Sequence, residues 1–182
     1  MECDGRVADT SLQRQTIDLS ADTTGFVRNN GGMPEPDLLY LGRMPSGRTL
    51  IRFDVPPSIR DSATVVRATL ELTPAEPLVG LRGDRATVEA RGVLKDIGAK
   101  STTAATTLAV RSLPDTSTDV LAIEVLNLLA AWRGADALPQ TVSMRLTPEG
   151  ASFHQPVFHS TRSGAGPRLR ITYLVPSTVE QP

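Results

Sequence analysis

The sequence predicts an all-β fold: two stacked antiparallel sheets, with one short helix closing an end. Three observations lead there. Apolar and polar residues alternate with a period of two in one segment after another, the mark of strands with one buried and one wet face. Fourteen Gly and fourteen Pro punctuate those segments at short intervals. One stretch alone, "VLNLLAAWRG" from Val125 to Gly134, has helical spacing, and it carries the chain's single Trp.

The elements follow in order. Met1 to Gln15 is polar and aperiodic and reads as an extended arm. "QTIDLS" and "TTGFVRN" read as strands, and "NNGGMPEPD" breaks them. "LLYLGR" is a short strand stopped by "MPSG". In "RTLIRFDV", Leu50 and Arg52 point one way and Ile51 and Phe53 the other, until "PPSIRDS" ends the run. From Ala63 to Thr73 the pattern is clearest. Val66, Ala68, Leu70 and Leu72 share the face expected to be buried, opposite Arg67, Thr69 and Glu71. "RATVEARGVL" sets Val88, Ala90 and Leu94 against Thr87, Glu89 and Arg91. "KDIGAKSTTAATT" is small, polar and unpatterned and reads as a surface loop. "LAVRSL" and "TDVLAI" are strands around "PDTST".

In the helical stretch, Val125, Leu128, Leu129 and Trp132 fall at i, i+3, i+4 and i+7, one apolar stripe. Ala130 and Ala131 favour helix, and Gly134 supplies a left-handed stop. A helix over about Val125–Arg133 is too short to stand alone. Its stripe must press on a sheet or plug the mouth between two. "QTVSMRLTP", "ASFHQPVFHS" and "RLRITYLV" return to strands. The expected organisation is an arm over 1–15, one β domain over 16–175 and a tail over 176–182.

The bulk numbers bound the function. The chain has 182 residues, 40% hydrophobic and 21% charged, enough for one domain without disulfide staples. Net charge is −1, so no basic field draws nucleic acid or an anionic membrane. No run is long and apolar enough to span a bilayer. The only cysteine, Cys3, excludes an internal disulfide. It reads as a free thiol in a loose segment. A lipid on Cys3 is the alternative, against which stands Glu2 where a small residue is wanted.

Four pieces occur in a familiar order. "FVRNNGG" precedes "LLYLGR", "RTLIRFDV" precedes "ATVVRATLELT", and "IEVLNLLAAWRG" and "FHSTRSGAGPRLRITY" follow. Together, from Thr23 to Tyr173, they resemble DNRLRE-type domains, which are related to disaggregatase repeats and to some carbohydrate-binding modules. The resemblance implies a jelly-roll β-sandwich and an extracellular or cell-surface setting. The family's Trp-containing middle element is missing here, where "GVLKDIGAKSTTAATTLAV" has no aromatic. The acid of its "SrE" is also missing, replaced within Ser160–Ser163.

The candidate residues divide into anchors and contacts. Trp132, Leu128, Leu129, Phe53 and Tyr173 are the expected structural anchors. Tyr40, Arg28 and Asn29 are the candidate ligand or partner contacts. His154 and His159 read as surface or sheet-edge histidines, and Ser160 beside His159 lacks a nucleophile-elbow motif. Glu71 and Glu89 belong on wet strand faces, Glu124 at the helix N-terminus, and Arg52 with Asp54 at a sandwich edge. Asp18, Asp22, Glu35 and Asp37 are candidate oxygen ligands for a structural Ca²⁺, but no loop motif ties them together and they read as solvated turn acids. No catalytic residue, cofactor or resident metal is expected. The expected function is that of a non-catalytic periplasmic or extracellular module. It would be adhesive or carbohydrate-binding, or else an accessory subunit clamped onto a larger envelope complex. The expected partner is a protein of that assembly or a surface glycan.

Overall fold

A computed structural model of the protein describes residues 12–28, 35–42, 47–79, 86–105, 109–114, 116–148 and 154–176. Its strands are β1 (Leu12–Ser20), β2 (Thr23–Arg28), β3 (Leu38–Tyr40), β4 (Gly47–Arg52), β5 (Thr64–Leu72), β6 (Leu78–Val79) and β7 (Thr87–Lys95). They continue with β8 (Thr102–Thr103), β9 (Ala109–Ser112), β10 (Thr116–Ser117), β11 (Leu121–Glu124), β12 (Thr141–Thr147), β13 (Val157–His159) and β14 (Arg168–Pro176). The one α-helix among the described residues is α1 (Leu126–Ala131).

The pairing is nested. β1 pairs with β14, β4 with β12, β5 with β11 and β7 with β9, all antiparallel. This is one long hairpin rolled up. Contacts of β14 with β5 and of β12 with β7 weld the roll into two sheets. The first sheet runs β1-β14-β5-β11. The second runs β2-β4-β12-β7, with β8 and β9 side by side along the far edge of β7. The result is a jelly-roll β-sandwich. Short ladders, β13 with β3 and β10 with β6, close its ends.

The core fills the space between the sheets. Ala68, Leu70 and Leu72 of β5 and Leu169 and Ile171 of β14 face Ile51, Val88, Ala90, Val142, Met144 and Leu146. The helix falls at the crossing from β11 to β12, between the sheets, and packs on β5 and β7. All four stripe residues, Val125, Leu128, Leu129 and Trp132, are at most 1% exposed. The helix is shorter than expected: Val125 and Trp132 flank it with non-helical backbone, and Gly134 turns the backbone away at φ +83°. No helix among the described residues is long and apolar enough to cross a membrane.

Three expectations need correction. β1 starts at Leu12, so Leu12–Gln15 belong to the sheet, paired with Tyr173–Pro176, and not to an arm or tail. Val66 and Leu94 do not face the core; they are 39% and 51% exposed. Both are the extra residue at a register shift, between Arg67 and Val65 opposite β14 and between Val93 and Lys95 opposite β8. A bulge adds one residue and reverses which side the next ones face. Val65 therefore takes the inward place that strict alternation assigns to Val66.

Candidate functional site

The two sheets present different outer faces. On the first sheet, rows of polar residues cross the strands in the open. Asp18 of β1, Arg170 of β14 and Glu71 of β5 form a charge ladder, with Arg170 Nε–Asp18 Oδ1 at 2.8 Å and Arg170 Nη1–Glu71 Oε1 at 2.9 Å. The bond from Arg170 holds the Asp18 carboxyl below its ordinary value. Beside this row, Arg67 and Thr69 of β5 donate to Glu124 of β11. Glu124 therefore serves a cross-strand network, not the helix N-terminus, because β-pairing sets it opposite Thr69.

On the second sheet, the outer face is covered. Residues 96–105, expected to be a free surface loop, form a flap whose Gly98–Lys100 turn reaches β2 and whose Thr102–Thr103 join the sheet edge as β8. Asp96 accepts from Arg52 Nη2 at 2.6 Å and from Thr141 Oγ1 at 2.7 Å. The bonds from Arg52 and Thr141 hold the Asp96 carboxyl far below the usual carboxylate range, against the upward push of burial. Arg52 thus pairs with Asp96 and not with Asp54, which is exposed. Further along, Arg91 Nη1 donates to the carbonyl of Ala105 at 2.7 Å, which ties down the end of the flap. Glu89 is not wet, as the alternation suggests, but 9% exposed. Burial pushes its carboxyl up, and the bonds from Arg145 (2.8 Å) and Arg91 (3.0 Å) outweigh it, so it ends below its ordinary value. A carboxyl that acts as a general acid at neutral pH must stay protonated there. Asp96 and Glu89 are held the other way and act as anchors for arginine.

Two depressions stand out among the described residues. A groove of about 700 Å³ lies between β9 and β11, lined by Val110, Arg111, Pro114, Asp119 and Val120 among others. Both strands end their sheets among the described residues, so the groove has an open edge on either side. Val110 and Val120 stand 56% and 49% exposed. The second depression, a cleft of about 570 Å³, opens at the end of α1 beside Arg60, Asp61, Trp132, Arg133 and Gln140.

The anchors Trp132, Leu128, Leu129 and Phe53 are buried, and Tyr173 is half-buried against the core with its hydroxyl 3.1 Å from Gln15 Oε1. The contact candidates are not brought together. Tyr40 is half-buried on β3, opposite Val157. Arg28 ends β2, its side chain outside the described residues, and Asn29 lies outside them altogether. His154 is not at the surface: it is 1% exposed, under the turn at Gly42, whose hypothetical Cβ would meet the His154 carbonyl at 3.3 Å. Ser160 is also buried. Its hydroxyl donates to the Pro36 carbonyl at 2.8 Å and accepts from the Arg162 N–H, capping the turn Thr161–Ser163. Asp18 is committed to Arg170, and among the described residues no three acids, His or Cys cluster as metal ligands do. Asp96, the hub of the flap, is not among the residues that the sequence singles out. The signal for it is indirect: Leu50 and Val93 are apolar on faces assigned to water, which asks for a cover.

No family model matches the sequence, and no curated protein does. Among solved structures it matches a protein from the naturally occurring empty particles of cowpea mosaic virus. The identity is 9%, over 95% of this protein and 86% of that one, at a TM-score of 0.21. A likeness at that level carries no conclusion.

Proposed function

We propose that this domain is a non-catalytic module of a bacterial envelope assembly, periplasmic or extracellular, that works by contact with a protein partner. The groove between β9 and β11 carries the reading. Open strand edges offer unpaired N–H and C=O groups to an extended segment, and exposed apolar side chains beside them give it somewhere to settle. Val110 and Val120 supply those side chains.

Two further features support it. The acids of the covered face are neutralised by arginine, which suits a scaffold and not proton transfer. Sugar recognition by stacking needs exposed aromatic planes, whereas Trp132, Phe53 and Phe158 are buried here. The resemblance to DNRLRE-type domains fits a surface module, and among the described aromatic residues its carbohydrate-binding side rests on Tyr40.

The test is native co-purification with a cysteine at Val110 for crosslinking. One partner at fixed stoichiometry, lost in Val110→Glu, is the expected result. Retention on one polysaccharide gel, abolished by Tyr40→Ala, would overturn the reading in favour of glycan binding.

A further inference from the structure

The first sheet ends on a long strand edge that is uncovered among the described residues. β1 runs nine residues, Leu12–Ser20, and pairs with β14 on one side only. From Leu12 to Thr16 every residue is exposed, so both faces of this half are open. The second sheet treats its edge differently, because the Gly98–Lys100 turn reaches β2. Edge strands are commonly blunted by Pro, a bulge, Lys or an inward-pointing charge. β1 has none of these. Its sequence, LQRQTIDLS, holds no Pro, Gly or Lys, and its register with β14 is unbroken. Ile17 and Leu19 turn towards the core, and the other residues on their side, Gln13 and Gln15, are uncharged. The two charges of the strand, Arg14 and Asp18, share the outer face with Thr16.

Those charges are opposite in sign and lie symmetrically about Thr16. In antiparallel pairing, directly opposed residues point to the same face. Two copies of β1 paired about a two-fold axis at Thr16 therefore set Arg14 of each copy opposite Asp18 of the other. Moving the axis to Gln15 sets Asp18 against Leu12, and moving it to Ile17 sets Asp18 against Thr16. Moving it to Asp18 sets that acid against itself. Charge thus selects one register. Both groups can be reached. Arg14 is exposed and has no ion-pair partner among the described residues, and Asp18 keeps 46% of its side chain exposed beside Arg170. The bonded row Glu71–Arg170–Asp18 alternates in sign, and Arg14 of a second copy continues it. Thr16, 3.2 Å from the Thr172 hydroxyl, meets its own copy on the axis. We propose that β1 is a homodimer seam, where a second copy of this chain adds its β1 antiparallel and the first sheets of the two copies become one. The seam does not depend on the groove beside β11, which lies at the opposite edge of this sheet.

The test is the mass of the full-length protein in solution across a dilution series, read by sedimentation. A dimer that dissociates on dilution is the expected result. Arg14→Glu sets like charges against each other at both ends of the seam and raises the dissociation constant by about tenfold or more. Arg14→Lys stays near the parent. In a Cys3→Ser background, Thr16→Cys crosslinks to its own copy under mild oxidation and Ser20→Cys does not, since Thr16 faces its own copy and Ser20 faces Leu12. Arg14, Thr16 and Ser20 are all exposed, and circular dichroism checks that the variants keep the fold. A monomer at every concentration, a dimer indifferent to Arg14→Glu, or a Thr16→Cys variant that crosslinks no better than Ser20→Cys overturns the proposal. Val110→Glu leaves the dimer intact. Loss of the dimer in that variant overturns the seam and moves the contact to the groove, so the two surfaces are read separately.

Discussion

The outer faces of the two sheets are built from similar residues and end in different states. Each carries arginine–carboxylate rows across its strands. On the first sheet Asp18 and Arg170 stand in solvent, their side chains 46% and 47% exposed, with Glu71 half-buried at the end of the row. On the second, the side chains of Asp96, itself a flap residue, and of Glu89 are 15% and 11% exposed, each bonded to arginine. Water and salt screen the first set, and surface pairs of that kind contribute little. The second set has lost much of its hydration and depends on its partners. The flap is the connection between β7 and β9, the innermost pair of the rolled hairpin. A local segment at the tip of the roll therefore converts one of two similar faces into a third, thin layer.

The largest effect expected from this contrast is at Leu50. It shares the outer face with Arg52 and is nonetheless 3% exposed. Leu50→Ala should cost about 2–4 kcal/mol, the range for a buried leucine. For a protein of this size that is on the order of 2–4 °C in melting temperature per kcal/mol. An unchanged urea midpoint would mean that the flap does not pack on this face.

Glu89 comes next. Glu89→Gln keeps the shape and removes the charge that Arg91 and Arg145 share. The expected loss is about 2 kcal/mol, since a bond to a charged group contributes about 1.5–3. It should persist in 0.5 M salt. If salt alone reproduces the loss in the parent protein, the pair is solvated and the contrast between the faces fails.

Asp96→Asn should cost about 1–2 kcal/mol, because Thr141 and Ser101 can still bond the amide. Hydrogen exchange should quicken across 96–105 before it changes anywhere in β5 or β14. The pH dependence has a definite sign. Asp96 and Glu89 are held below their ordinary values of 3.8 and 4.5, so their contribution is present above those values. It is lost as pH falls through about 4 and lower, and does not change between about pH 6 and 8. Asp96→Asn should flatten part of that acid loss. Equal acid sensitivity in the variant would remove Asp96 from the account.

The sheets and the helix stripe are legible in the sequence because they rest on local periodicity. The residues Val125, Leu128, Leu129 and Trp132 have to be buried together wherever the helix goes. Burial beyond that is not legible. Periodicity places Leu50 correctly on the face of Arg52, but that face is crossed by a segment more than forty residues later, whose Asp96 bonds Arg52 and Thr141. Proximity in sequence suggests Asp54 as the partner of Arg52; the partner is Asp96, which only the roll brings near. The bulges are hidden for a different reason. An extra residue leaves no mark in the composition of a strand, so Val66 and Leu94 look like core residues until the register is known. The cleft at α1 is equally out of reach, since Arg60 and Arg133 meet there only through the crossing from β11 to β12.

Val66 gives the smallest expected effect and the cleanest test of the hidden register. The alternation alone makes Val66 a core residue and Leu50 an exposed one. The bulge and the flap reverse the order. Val66→Thr should change stability by no more than about 0.5 kcal/mol, as surface substitutions do. On the same face, Arg170→Gln should leave the melting midpoint unmoved at physiological salt. A Val66→Thr loss comparable to that of Leu50→Ala would place Val66 inward and remove the bulge. β5 would then pair with β14 one residue out of the register described, and Val65 would stand in solvent.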